Sequence, residues 1–102
     1  MPADDGDYGD DHKGLLQLVQ YRQTDAAREL VVAGYDVNVR GAYGETAAYI
    51  AAKINDLEML KLLADAGADL SLCDDGGQSP LFWARRNKND EMIDLITNPA
   101  SR

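Results

Sequence analysis

The chain has 102 residues, enough for one small domain, with 45% apolar residues, 27% charged residues and a formal net charge of -8. The apolar fraction excludes wholesale disorder, and no long uncharged apolar run is present to span a bilayer. The acidic balance disfavours nucleic acid and anionic lipid, which both select basic patches, and favours a basic partner through faster encounter.

Residues 1–11 read as an acidic flexible leader. Asp4, Asp5, Asp7, Asp10 and Asp11 lie there with no Lys or Arg, which leaves -3 for residues 12–102. Met1-Pro2-Ala3-Asp4-Asp5 has neither a basic segment nor an apolar one, so no signal peptide is expected. Cys73 stands alone, so no intrachain disulfide can form, and a reducing, cytoplasmic setting fits.

A first helix is expected over 13–21 and a second over 24–33, ending at Gly34, where positive φ is needed. A short extended arm, 36–45, follows, with Val37 and Val39 alternating as in a β-like segment. Thr46 can cap the next helix, about 46–54, by accepting free amides at its start. After the polar break Asn55-Asp56, a helix over 57–66 carries an apolar stripe of Leu57, Leu60 and Leu63 with Met59, Leu62 and Ala66, and Gly67 ends it. A second arm, 69–78, precedes Ser79-Pro80, a cap followed by the residue best suited to the first helical position. Helices over 80–87 and 90–97 are separated by Lys88-Asn89, and Asn98-Pro99 stops the last one.

These elements repeat. Gly34-Tyr35-Asp36-Val37-Asn38 recurs as Gly67-Ala68-Asp69-Leu70-Ser71 at an offset of 33. Gly44-Glu45-Thr46-Ala47-Ala48 recurs as Gly77-Gln78-Ser79-Pro80-Leu81, and Glu58-Met59-Leu60 as Glu91-Met92-Ile93, in the same register. The first unit is degenerate, as end units of a stack are expected to be.

A period of 33 with helix, turn, helix, Gly-x-Asp and an arm resembles the ankyrin repeat. The middle unit carries the match most fully, in Gly44–Ala52, Asn55–Leu63 and Ala66–Leu70, and the third continues it in Asp74–Leu81. The usual Thr-Pro-Leu-His of the family is Thr46-Ala47-Ala48-Tyr49 in one unit and Ser79-Pro80-Leu81-Phe82 in the next, so Tyr49 and Phe82 replace the histidine that ties neighbouring turns. The resemblance implies an all-α ankyrin-repeat solenoid of three helix-turn-helix units, about 12–43, 44–76 and 77–98, with two β-hairpin arms and a C-terminal tail of 99–102.

It also implies protein binding through a concave face made of arm tips and first helices, without catalysis or cofactor. Carried over by position, that face includes Tyr21, Arg40, Tyr43, Glu45, Lys53, Ile54, Asp75, Gln78 and Arg86. Tyr21, Tyr43 and Ile54 are also large apolar groups at positions the core pattern does not need, and aromatic and Arg side chains are the usual interface anchors.

Sharper chemistries find little support. Trp83 aligns with core position Ile50, and Phe82 with Tyr49 and Leu16, so both read as packing. Asp74 and Asp75 beside Cys73 disfavour a reactive thiolate, and His12, the single histidine, has no placed nucleophile. Asp4–His12 lacks the distal Glu of a calcium loop, and Asp75-Gly76-Gly77 lacks the Lys of a phosphate loop. The expectation is a non-enzymatic binding module with a protein partner of basic character, itself a monomer or weak dimer. Its narrower form is an immunity or inhibitor protein that occludes a basic enzyme, and the alternative from a different class is a self-associating structural protein.

Overall fold

A computed structural model of the chain describes residues 11–98, with side chains from Gly14 onward. Among them are six helices in three successive pairs: α1 Asp11–Gln20 and α2 Thr24–Val32, α3 Ala47–Lys53 and α4 Leu57–Asp65, α5 Pro80–Arg86 and α6 Asp90–Thr97. Helix α3 packs between α1 and α5, and α4 touches α2 and α6. The odd-numbered helices therefore form one layer and the even-numbered helices the other.

Local chemistry sets the helix boundaries. Thr46 Oγ1 accepts the Tyr49 N–H at 3.1 Å and Ser79 Oγ accepts the Phe82 N–H at 3.4 Å. Asp56 and Asn89, in the polar breaks, do the same for the Met59 and Met92 amides, each at 3.1 Å. At the C-termini of α1 to α5 the chain closes with one pattern. Gln23 N–H donates to Leu18 O and Arg22 N–H to Val19 O, and each later helix repeats the pair. That closure needs one residue in the left-handed region. Gly34 and Gly67 supply it after α2 and α4, at φ 93° and 94°. Within the pairs Arg22, Asn55 and Lys88 take it instead, at φ 59°, 62° and 55°. They stand 33 residues apart, so a backbone conformation recurs where the side chains do not.

The interior follows the expected stripes. Leu15, Val19, Ala51, Met59, Leu60, Leu63, Ala84 and Met92 are fully buried. In α3, Ala47, Ala48, Ala51 and Ala52 are all buried, and these small side chains let α1 and α5 approach it closely from both sides. Trp83 packs against this core but is only partly buried, and Phe82, edge-on to it with ring centroids 5.1 Å apart, is 39% exposed.

The arms differ from expectation. No β-strand is present among the described residues; each arm is a tight turn rather than a ladder. The first closes with Gly41 N–H on Glu45 O at 2.8 Å, the second with Asp74 N–H on Gln78 O at 2.8 Å. The apolar alternation in each arm is too short to extend pairing beyond these closures. Neighbouring arms are joined instead by single links: Asp75 N–H to Tyr43 O at 2.9 Å, Asp69 N–H to Asn38 Oδ1 at 2.8 Å and the Arg40 guanidinium to Cys73 O at 3.1 Å. At the opposite end of the helices, Arg22 donates to Ile54 O at 2.6 Å and lies 3.6 Å from the Asp56 carboxylate, while Asn87 donates to Ala52 O at 3.0 Å.

Candidate partner-binding surface

A groove of about 290 Å³ runs between the arms and the layer of odd-numbered helices. Gln20 from α1, Tyr49, Ile50 and Lys53 from α3, and Ile54 just beyond it form one side. Tyr43, Glu45 and Asp74 from the arms form the other. Of the residues singled out by sequence, Tyr43, Glu45, Lys53 and Ile54 thus meet in one place.

Tyr43 is the most exposed aromatic side chain among the described residues, at 75%. Its backbone is held on both sides: its N–H donates to the Glu45 carboxylate at 2.9 Å and its carbonyl accepts from Asp75. Gly44, next in sequence, has φ 79°, and a Cβ there would stand 2.9 Å from the Asp75 backbone nitrogen, so only glycine fits this close approach of the two arms. A fixed backbone carrying a free aromatic side chain lowers the entropy lost on binding.

The remaining predicted residues, Arg86, Asp75, Gln78, Tyr21 and Arg40, do not line the groove. Arg86 stands on α5 with its guanidinium 5.9 Å from the Trp83 ring centre, and Lys53 Nζ approaches the same ring to 5.6 Å. Asp75 is exposed at the second arm tip, and partly buried Gln78 uses its backbone at both ends of the turn of that arm. Tyr21, 62% exposed beyond the end of α1, and Arg40, engaged with Cys73, lie outside the lining of the groove.

Asp74, Tyr49 and Trp83 form a polar cluster that sequence reasoning did not assemble. Asp74 Oδ1 accepts the Gln78 N–H at 2.8 Å and the Gly76 N–H at 2.9 Å, and the Tyr49 hydroxyl is near enough to favour the charged carboxylate. The Gln78 amide above all, with Tyr49, Gly76 and the charge of Lys53 adding to it, holds this carboxyl below the usual range against partial desolvation. Burial, with the Asp74 charge adding to it, pushes the Tyr49 hydroxyl above the usual phenol range, while the Trp83 indole opposes the rise. The Trp83 indole N–H is itself buried and completes no hydrogen bond of good geometry. Tyr49 and Trp83 meet edge to face at 6.2 Å. Tyr49 thus stands between arm and helix at the position where the family carries histidine. The signal available in sequence was Asp74-x-Gly76-x-Gln78, an Asp placed to cap its own turn.

Among the described residues no three His, Cys, Asp or Glu side chains converge as a metal site, and no helix is long and apolar enough to cross a membrane. The acidic segment weighed as a calcium loop, Asp4–His12, lies outside the described side chains.

Stacked helix pairs with projecting turns define a helical repeat protein. Residues 15–101 match a family model of ankyrin repeats in three copies, and the chain belongs to that family. It is 32% identical over 74 residues to an ankyrin-repeat protein of Acanthamoeba polyphaga mimivirus, covering 72% of this chain and 10% of the relative. An ankyrin-repeat protein of Treponema pallidum is 33% identical over 85 residues, covering 83% of this chain and 28% of its own. An L-asparaginase of Dirofilaria immitis is 30% identical over 79 residues, 78% of this chain but only 13% of that enzyme. The chain therefore spans a minor part of these relatives. Ankyrin repeats are in general protein-interaction modules.

Proposed function

We infer that this chain is a non-enzymatic module that binds a partner protein in the groove between its arms and inner helices. The observation that carries this reading is Tyr43, an exposed aromatic ring on a backbone pinned by Glu45 and Asp75 at the edge of an apolar-floored groove. A cytoplasmic setting is part of the proposal and rests on the lone cysteine. The net charge of -8 would draw a basic partner at long range, which is the ground for an immunity or inhibitor role. The groove itself carries Glu45 and Asp74 beside the single cation Lys53. Self-association has one supporting observation, the exposed Phe82 beside half-buried Leu81 on the outer side of α5.

Photo-crosslinking tests the main reading. A benzophenone amino acid placed at Tyr43, and separately at exposed Lys61 on α4, is irradiated in extract from the native source. A discrete adduct from position 43 and none from position 61 is expected. Equal labelling from both, or labelling from 61 alone, refutes the groove as the binding face. Light scattering across concentration settles the second reading, which a strict monomer eliminates.

A further inference from the structure

We propose that the open end of the third repeat, formed by Leu81, Phe82, Ile93 and Ile96, docks on the same face of a second copy of the chain in a two-fold dimer. This deepens the self-association reading and rests on it; the groove takes no part.

The repeat register identifies the face. Leu15, Leu16 and Val19 on α1 and, 33 residues on, Ala48, Tyr49 and Ala52 on α3 are all buried. In each case the inner helix of the following repeat packs alongside, α3 on α1 and α5 on α3. The corresponding trio on α5 is Leu81, Phe82 and Arg85. There Leu81 is half-buried, and Phe82 and Arg85 are exposed. The outer helices agree. Leu60 and Leu63 on α4 are fully buried, whereas Ile93 and Ile96, at the same positions of α6, are half-buried. Four apolar side chains thus lie on a face that the middle repeat buries.

Arg85 argues against a further repeat in the same register. That position is Val19 and Ala52 where a repeat follows, and a continued stack would take the Arg85 charge out of water among apolar side chains. A second copy meets the face differently. Two hollows share Ser79 and Leu81 in their linings. One, about 750 Å³, lies at the arm end and includes Asp69, Leu70 and Ile96. The other, about 470 Å³, includes Phe82, Arg85 and Arg86. Leu81 and Arg85 stand one turn apart on one side of α5, with Arg85 in its last turn, so the acidic and basic hollows lie toward opposite ends of the helix. A two-fold rotation about Leu81 sets Phe82 of each copy against the larger hollow of the other, and the arginines against its Asp69. Such a contact is self-complementary, buries both apolar faces at once and closes at two copies, whereas a head-to-tail contact leaves one face open.

Sedimentation velocity from micromolar to millimolar concentration gives the mass, and amide NMR spectra over the same dilution locate the face. Expected are a monomer–dimer equilibrium that grows no further, and concentration-dependent shifts at residues 69–71, 81–85 and 93–96 while Tyr43 and Lys53 stay fixed. Phe82→Asp should be monomeric throughout, and Arg85→Glu should weaken the dimer about tenfold by setting like charge against Asp69. Both side chains are exposed, so either variant should keep the urea midpoint of the intact chain. A strict monomer at millimolar concentration overturns self-association and this face together. Association that survives Phe82→Asp overturns the face alone, as do shifts centred on the groove or growth beyond a dimer. Unchanged affinity in Arg85→Glu overturns the two-fold arrangement. A version ending at Asn98 that dimerises where the intact chain does not assigns the face to residues 99–102 of the chain itself, which overturns the second copy as its occupant.

Discussion

Leu60→Ala is the most direct probe of how the stack holds together. Leu60 is fully buried on α4, in the even-numbered layer of the middle repeat, where it is part of the continuous core shared by all three helix pairs. The substitution removes three carbons, worth about 2.4 kcal/mol at roughly 0.8 kcal/mol per buried methylene. The cavity left behind adds to this, so the expected loss is about 3–4 kcal/mol, within the roughly 2–5 kcal/mol range of such changes. A domain of this size has only about 5–15 kcal/mol in total. Because each repeat is stabilised mainly by its neighbours, a lesion in the middle one weakens both interfaces. Urea denaturation followed by Trp83 emission in the third repeat and by far-ultraviolet circular dichroism measures the effect. The two probes should move together, with the midpoint lowered and the slope unchanged. A loss below about 1 kcal/mol would refute the inward assignment of this face. Separated transitions would refute the continuous core.

Three further outcomes are expected. Gly44→Ala forces a side chain into φ 79° and against the Asp75 backbone, and should destabilise by about 1–3 kcal/mol in urea, more than Gly77→Ala, where φ is 82° but no atom lies within 4 Å. The depressed Asp74 carboxyl contributes stability that is present above the unfolded value near pH 4 and lost as pH falls through its lower folded value. The gap in urea midpoint between the intact chain and Asp74→Asn should therefore narrow from pH 6 to pH 3, and an unchanged gap would remove Asp74 from the account. For Tyr49, whose hydroxyl titrates above the usual phenol range, stability should hold below about pH 10 and fall as pH rises beyond it, with Tyr49→Phe insensitive to that rise.

The sequence made the architecture legible because the repeat writes its boundaries in residue types with few alternatives. Gly34 and Gly67 end the second helices in the left-handed region, and Thr46 and Ser79 start α3 and α5 as caps. The breaks at Asn55 and Lys88 were legible, but the left-handed backbone at Arg22, Asn55 and Lys88 was not, since these residues share no type and only the backbone reveals the recurrence. Asp56 and Asn89 were visible as polar breaks, but their capping role depends on geometry. The arms read as strands because Val37, Val39, Leu70 and Leu72 alternate, whereas the backbone bonds Gly41–Glu45 and Gly44–Gly41, and Asp74–Gln78 and Gly77–Asp74, only close tight turns. At the groove, exposure of Tyr43 followed from its place outside the core pattern. The meeting of Asp74, Tyr49 and Trp83 did not, because it arises from stacking of neighbouring repeats rather than from spacing within one. Trp83 shares the register of buried Ile50, yet its ring reaches Lys53 in the groove and Arg86 on its own helix.

The central claim is that partner recognition occurs in the groove, and the affinity of the crosslinked partner for two variants tests it most directly. Tyr43→Ala should weaken binding by about 2 kcal/mol or more, roughly thirtyfold, while Glu58→Ala on the exposed side of α4 leaves it unchanged. Equal affinity for the intact chain and Tyr43→Ala, or a loss confined to Glu58→Ala, would place the interface elsewhere and contradict the account.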